Sequence, residues 1–178
     1  GNARDGLLKP SDSLRAEMLA DKRLISVTDL GTGGWGDRKR RVCDIARRAA
    51  VPPEQEALLS RLTVLSCSEA ADDEAVVELG TSLGISTLCL AAAAPYKKMI
   101  TIEGCPELSA LAKENFSRYG YGNIRVINAG FSDALNILRE EGTRVRFAFI
   151  DGNHCGEALI EYFNMLMEMS GDEMTVVA

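Results

Sequence analysis

Two glycine-rich stretches have the composition of a turn that can hold a nucleotide-like ligand: residues 29–36 and residues 80–84. Such a turn binds a ligand when a strand leads into it, a helix follows it, and a second strand ends in an acidic residue about 20 residues later. The first stretch fails this test because no strand follows it at that distance. We interpret it as a connection, the alternative being a lid with Trp35 as its apolar wall.

The second stretch meets all three conditions. A strand predicted over residues 75–79 leads into Gly80, a helical pattern follows, and Glu103 ends a strand predicted over residues 98–103. A carboxylate at that place can accept hydrogen bonds from both hydroxyls of a ribose. Glu78, within the first strand, adds a negative charge that suits the ammonium group of a ligand. We therefore predict the ligand site at this turn.

The spacing of the glycines separates two classes of ligand. A dinucleotide turn needs a second glycine where the backbone approaches a pyrophosphate, but Ser82 stands at that position between Gly80 and Gly84. S-adenosylmethionine (SAM) has no pyrophosphate and presents an amino-acid end, a ribose and an adenine. The hydroxyls of Thr81 and Ser82 and the free N–H groups of the following helix suit its carboxylate. The residues favour SAM, with a NAD-type oxidoreductase as the alternative.

Four stretches of the chain resemble class I SAM-dependent methyltransferases, especially the branch of small-molecule O-methyltransferases that includes catechol O-methyltransferase-like enzymes. They are VVELGTSLGIS (76–86), ITIEGCPE (100–107), NAGFSDAL (128–135) and FAFIDGNH (147–154). The resemblance implies transfer of a methyl group from SAM to an oxygen of a small molecule. The alternative within the family is a methyltransferase-like binding module without activity.

The resemblance also implies which residues hold the cofactor. They are Gly80, Thr81, Ser82 and Ser86 around the methionine end, Glu103 at the ribose, Gly104, Cys105, Gly130, Phe131 and Ser132 beside the adenine, and Asp151 where the pocket closes. The first 70 residues match no motif of the family.

Asp151 and His154 are the predicted catalytic residues, because they follow a strand predicted over residues 145–151, at the edge where such sheets bind ligands. His154, the one histidine of the chain, has an ordinary pKa that suits a general base; the alternative is a local role in its loop. The resemblance implies that Asp151 is a Mg²⁺ ligand in the metal-dependent members, whose other acidic ligands follow the next strand. The chain stops in that strand, so the sequence contains only part of such a metal site. Metal dependence is therefore left as an open alternative.

Short apolar strands alternate with helical patterns from about residue 75 onward. This alternation predicts a mostly parallel sheet covered on both faces, and right-handed crossovers make it a doubly wound, Rossmann-like α/β domain over residues 71–178. Residues 1–70 are predicted to form a helical N-terminal cap. Its predicted elements are helices over 11–20, 37–50 and 53–67 and a strand over 24–29.

The last predicted strand covers residues 174–178 and is the fifth of the sheet. The sheets of the family continue with two further strands. We therefore expect a chain truncated after its fifth strand, or an open edge that another segment or the second subunit of a homodimer covers.

Composition narrows the classes of partner. The five cysteines are scattered without C-x-x-C spacing, and no apolar run reaches the roughly 20 residues of a membrane span. These features predict a cytoplasmic protein with reduced thiols and no membrane contact. Residues 70–178 carry sixteen acidic against eight basic side chains, a balance that disfavours a nucleic-acid partner. The predicted partner is a small-molecule methyl acceptor.

A run of basic residues at positions 38–41, continued by Arg47 and Arg48, interrupts this acidic composition. Apolar residues from Val42 onward recur at helical spacing, which predicts that the arginines form the solvated side of a packed helix. An anionic acceptor or partner is the alternative.

Overall fold

The computed structural model describes residues 4–28, 38–152 and 156–178. The elements in chain order are α1 (Arg4–Ala20), β1 (Leu24–Val27), β2 (Arg38–Arg41), α2 (Val42–Ala49), α3 (Pro53–Cys67), β3 (Glu74–Leu79), α4 (Ile85–Ala93), β4 (Met99–Ile102), α5 (Pro106–Arg118), β5 (Ile124–Ile127), α6 (Phe131–Glu140), β6 (Arg144–Ile150), α7 (Gly156–Glu168) and β7 (Ser170–Val177). None of the helices among these residues is long and apolar enough to span a membrane.

Five strands form a parallel sheet in the order β5-β4-β3-β6-β7. The chain builds outward from β3 to β5 on one side and then from β6 to β7 on the other. The order therefore reverses between β3 and β6, and ligands of such sheets bind in the crevice at the carboxyl ends of strands at this point. The predicted doubly wound, Rossmann-like fold is confirmed.

Both faces of the sheet are buried, which explains why its strands are almost continuously apolar. Successive side chains of a strand point to opposite faces. Thus Val77 and Leu79 of β3 pack with α6 and α7, whereas Val76 packs on the other face with Leu90 of α4. In β6, Ala148 joins the first group. This sandwich of helices fixes the carboxyl end of β3, where the glycine turn begins.

The strands of the sheet lie close to their predicted positions, and the larger differences concern their flanks. α4 begins at Ile85 because residues 81–84 form the turn itself, with Ser82 and Gly84 at left-handed φ values of 48° and 83°. α6 begins at Phe131, with Gly130 at its N-cap. β7 is longer than predicted and is an edge strand of the five described.

The N-terminal segment differs more from its prediction. The helix predicted over residues 37–50 begins only at Val42, and the four basic residues before it form β2, antiparallel to β1, with Leu24 opposite Arg41. The physical reason is that the apolar residues at helical spacing start at Val42. The four basic residues before it have no apolar face that could pack against the domain. They gain a ladder of backbone hydrogen bonds from the apolar strand β1 instead. The helix over Pro53–Cys67 is confirmed.

Candidate functional site

The glycine turn joins the ends of three strands. The N–H groups of Gly80 and Thr81 both donate to the carbonyl of Ile102 at the end of β4, at 3.0 and 3.2 Å. On the other side, the N–H of Asp151 donates to the carbonyl of Leu79 at 2.8 Å. Gly80 has a φ of 109°, and a Cβ there would lie 2.5 Å from the carbonyl oxygen of Asp151. Only glycine therefore allows β3 and β6 to end side by side.

Glu103 connects this turn to the end of β4. One carboxylate oxygen accepts the N–H of Ser82 at 2.8 Å, and the other accepts the N–H of Cys105 at 2.9 Å. The side chain is half-buried. The two oxygens of a carboxylate have about four acceptor positions, so backbone N–H groups hold Glu103 in place while it retains capacity for hydroxyl donors. This arrangement suits the ribose role that the resemblance implies.

Glu78 is fully buried, and its proximity to the ammonium of a ligand stays a prediction. Its carboxylate accepts hydrogen bonds from the hydroxyls of Ser86, Thr87 and Thr101. The reason is that Glu78 lies one residue before the end of β3, inside the sheet, where α4 and β4 cover it. Thr87 and Thr101 are functional partners that the sequence analysis missed, since their spacing from Glu78 carries no motif.

A chain of hydroxyls links the turn to this carboxylate. Thr101 uses its one hydroxyl proton to reach Glu78, so Thr81, whose Oγ1 lies 2.6 Å away, is the donor in the bond between the two threonines. Burial raises the pKa of Glu78 to about 7, the three hydroxyl donors oppose that rise, and the charge of Asp151 adds to it. Glu78 thus acts on the turn through side-chain hydroxyls that it orients.

A narrow cleft lies above the turn. Its lining residues are Ala49, Ala50, Val51, Gly80, Thr81, Ser82, Leu83, Ile85, Ser86 and Asp151. The structure thus brings together Asp151 and every residue predicted around the methionine end. It also adds a wall from the end of α2, which the sequence analysis missed because two alanines and a valine carry no chemical signal. The N-terminal segment is therefore part of the site.

An ion pair between a partly buried arginine and a buried glutamate positions that wall. Arg15 of α1 donates to the carbonyl of Val51 and lies 2.7 Å from Glu56 of α3. Burial raises the pKa of Glu56 to about 6, while the charge of Arg15 opposes the rise. Because the removal of one partner would leave a buried charge alone, the pair fixes α1, α3 and the cleft wall as one unit.

The residues predicted beside the adenine lie along the carboxyl ends of β4 and β5. Cys105 is buried against β1, and the side-chain amide of Asn128 donates to the carbonyls of Glu103 and Gly104. The ring of Phe131 approaches Gly152 so closely that a Cβ there would lie 2.8 Å from it. Phe131 therefore stands next to the end of β6.

Two of the predicted residues at this end of the sheet have other surroundings. The hydroxyl of Ser132 is directed to α7, where it donates to Glu161 at 2.9 Å. Gly130 precedes α6 at its N-cap, and a Cβ there would lie 3.6 Å from a carboxylate oxygen of Asp133.

The metal hypothesis finds no support in the described residues. They contain no group of three His, Cys, Asp or Glu side chains that can hold a metal ion. Asp151 lies at the turn, but His154 and the stretch 29–36 with Trp35 lie outside the described residues. The role of Asp151 as a Mg²⁺ ligand therefore stays a prediction.

Known proteins resemble the chain in the same region. Residues 77–178 match the family described as Methyltransferase domain. A Mycobacterium leprae (strain Br4923) protein is 38% identical over 107 residues, which cover 58% of this chain and 45% of that protein. Its name describes it as an O-methyltransferase. A catechol O-methyltransferase of Niastella koreensis is 34% identical over 106 residues, covering 58% of this chain and 47% of the relative. The chain thus spans about half the length of these relatives.

A solved structure adds a fold-level comparison. The O-methyltransferase TomG from Streptomyces achromogenes, in complex with SAM, superposes with a TM-score of 0.63 at 26% identity, covering 72% of this chain and 56% of that one. The matching family covers more than half of the chain, from β3 through β7, and includes the glycine turn, Glu103 and Asp151. The chain therefore belongs to the methyltransferase domain family.

Proposed function

We propose that the chain binds SAM in the cleft above the glycine turn and takes part in methyl transfer to an oxygen of a small molecule. The observation that carries the proposal is the carboxylate of Glu103, held by the N–H groups of Ser82 and Cys105 at the edge where the strand order reverses. The O-methyltransferase relatives, and the SAM-bound structure of TomG, support it.

The residues have distinct parts in this proposal. Glu103 accepts hydrogen bonds from the ribose hydroxyls, and the turn from Gly80 to Ser86 surrounds the methionine end. When bound, SAM supplies an activated methyl group on a sulfonium. Methyl transfer from it depends on alignment and exclusion of water more than on bonding groups of the protein. The cleft wall at Val51 and the close approach of Asp151 to Gly80 serve that exclusion.

We propose Asp151 as the residue that borders the acceptor, because it lines the cleft at the carboxyl end of β6. His154 stays a candidate general base. The cysteines that the structure describes are all free, which supports a reducing, cytoplasmic setting.

The test is calorimetric titration of the chain with S-adenosylhomocysteine. We expect the wild-type protein to bind and the Glu103→Ala variant to bind about 100-fold more weakly, because two hydrogen bonds to a charged acceptor are lost. Glu140→Ala, an exposed substitution of the same type on α6, is the matched control and should bind like the wild type. Titration with NAD⁺ completes the set, and we expect no heat of binding from it.

Each result decides a separate point. Absence of binding by the wild type overturns the SAM proposal, and NAD⁺ binding in its place moves the chain to the oxidoreductase alternative. Equal affinities of the wild type and Glu103→Ala overturn the ribose role of Glu103 alone. A chain that binds S-adenosylhomocysteine but transfers no methyl group from SAM to catechol, with or without Mg²⁺, excludes catechol as its acceptor.

A further inference from the structure

The N-terminal segment carries a second concave surface, separate from the cleft above the glycine turn. This groove has a volume of about 640 Å³, which falls within the range of small-molecule sites. Among the described residues around it, six side chains are basic and one, Asp44, is a carboxylate. The basic residues are Arg38, Lys39, Arg40, Arg41, Arg47 and Arg48.

The fold explains how residues that lie apart in the sequence reach one groove. β2 runs directly into α2 at Val42, so the strand and the last turn of the helix stand at an angle to each other. Val42, Ile45 and Ala46 are buried against the domain, which leaves Arg47 and Arg48 exposed on the opposite side of α2. Leu24 of β1 lines the groove between strand and helix.

The charges in the groove are unbalanced. Asp44 already accepts a hydrogen bond from Arg47 at 2.8 Å. Lys39, Arg41 and Arg48 are exposed and form no ion pair with any carboxylate of the residues described here. This local excess of positive charge stands in a chain with a formal net charge of −6. Clustered like charges repel each other. An anionic ligand that neutralised them would therefore stabilise this part of the chain.

We propose that this groove binds a small molecule that carries a pyrophosphate or closely spaced phosphate groups. Arginine forks and lysine ammonium groups are the side chains that recognise phosphate oxygens. The volume of the groove is large enough for a small molecule with a pyrophosphate group, and the groove occupies one part of the surface. A nucleic acid fits less well, because its backbone would extend from the groove over the acidic remainder of the chain.

The groove also adjoins the cleft above the turn. Arg48 is followed directly by Ala49 of the cleft wall. On the other side, β1 is anchored beside the predicted adenine region, where the N–H of Ser26 donates to Glu107 at 2.7 Å. A ligand held by its phosphates in the groove can therefore extend towards the cleft. This last step rests on the proposed function, whereas the phosphate site itself does not.

Calorimetric titration of the full chain with sodium pyrophosphate tests the site. The double variant Lys39→Gln/Arg48→Gln should bind about tenfold more weakly than the wild type, because two charge-assisted contacts become neutral. The control Lys98→Gln/Lys113→Gln removes two exposed positive charges elsewhere and should change the affinity less than about twofold. S-adenosylhomocysteine should bind the groove variant as it binds the wild type.

Three results would overturn the proposal. They are an absence of pyrophosphate binding by the wild type, equal weakening by the groove and control variants, and tighter binding of a single-stranded oligonucleotide that the groove variant abolishes. The last result would assign the groove to nucleic acid. Since S-adenosylhomocysteine is titrated separately, failure of the phosphate site is distinguishable from failure of the cofactor proposal.

Discussion

The carboxyl ends of β3 and β4 lie side by side, with Leu79 opposite Ile102, and each has a glutamate nearby. Glu78 precedes the last residue of β3 and is fully buried, whereas Glu103 follows the last residue of β4 and is half-buried. Among the described residues, the first accepts hydrogen bonds from three side-chain hydroxyls, and the second accepts them from two backbone N–H groups.

This difference of position relative to the strand end separates two tasks. A carboxylate inside the sheet must be satisfied by neighbours that are also buried, so Glu78 holds the turn and α4 together through Ser86, Thr87 and Thr101. A carboxylate just beyond the strand, such as Glu103, is held by backbone N–H groups and stays half-buried. Of the two acidic residues near the glycine turn, Glu78 supports the fold, and Glu103 is the one that we propose to bind the ligand.

The largest effect should come from Glu78→Ala, which leaves three buried hydroxyls without their acceptor. We expect the free energy of unfolding to fall by about 3 kcal/mol, measured by urea denaturation. Glu103→Ala should lower it by about 1 kcal/mol, because Glu103 and Ser82 are only half-buried, and the N–H of Cys105 is the one buried donor that loses its acceptor.

Equal losses of stability in the two variants would contradict this division of roles. Removal of a carboxylate that serves only the ligand should change the free energy of unfolding little. Circular dichroism of both variants at low temperature is the accompanying control, because it shows that each starts from the folded state.

A smaller effect concerns pH. The pKa of Glu78 is raised to about 7 in the folded chain, so the folded state binds more protons than the unfolded state between the ordinary pKa and about 7. Stability is therefore greatest at the acidic end of this window and falls as the pH rises. From about pH 5 to about pH 8, we expect Glu78 to contribute a loss on the order of 2 kcal/mol.

Glu78→Gln should remove this contribution, because its side chain stays neutral throughout. Glu56, whose pKa is raised to about 6, titrates in the same direction and remains in both proteins, so the difference between them isolates Glu78. Parallel pH curves of unfolding free energy for the wild type and the variant would show that the buried carboxylate does not titrate here.

The sheet was predictable because each of its strands is a short apolar run between turn residues, and tertiary contacts do not compete with that pattern. β2 was not, since Arg38–Arg41 has no apolar periodicity and its strand exists only through pairing with β1. Local spacing likewise placed Glu103 at the end of β4.

The burial of Glu78 depends on side chains from two other elements, α4 and β4, which no spacing near residue 78 encodes. The cleft wall at Val51 depends on an even longer connection, to Arg15. Sequence patterns predicted which residues offer chemistry to a ligand. They did not identify the residues that orient them, because those are chosen by packing between distant segments.

The smallest effect should come from Ser82, which lies between the two glutamates in the turn. Its φ of 48° costs a non-glycine residue roughly 1 kcal/mol, and its hydroxyl forms no hydrogen bond with the described residues. Ser82→Gly relieves the strained φ but gives the unfolded chain more freedom. The free energy of unfolding should therefore change by less than about 1 kcal/mol.

The same variant keeps the backbone N–H that donates to Glu103. If that N–H is what Ser82 contributes to the site, the affinity for S-adenosylhomocysteine should change less than about twofold in calorimetric titration. A loss of tenfold or more would mean that the hydroxyl itself contacts the ligand, and the turn would then supply a side chain as well as backbone to the cofactor.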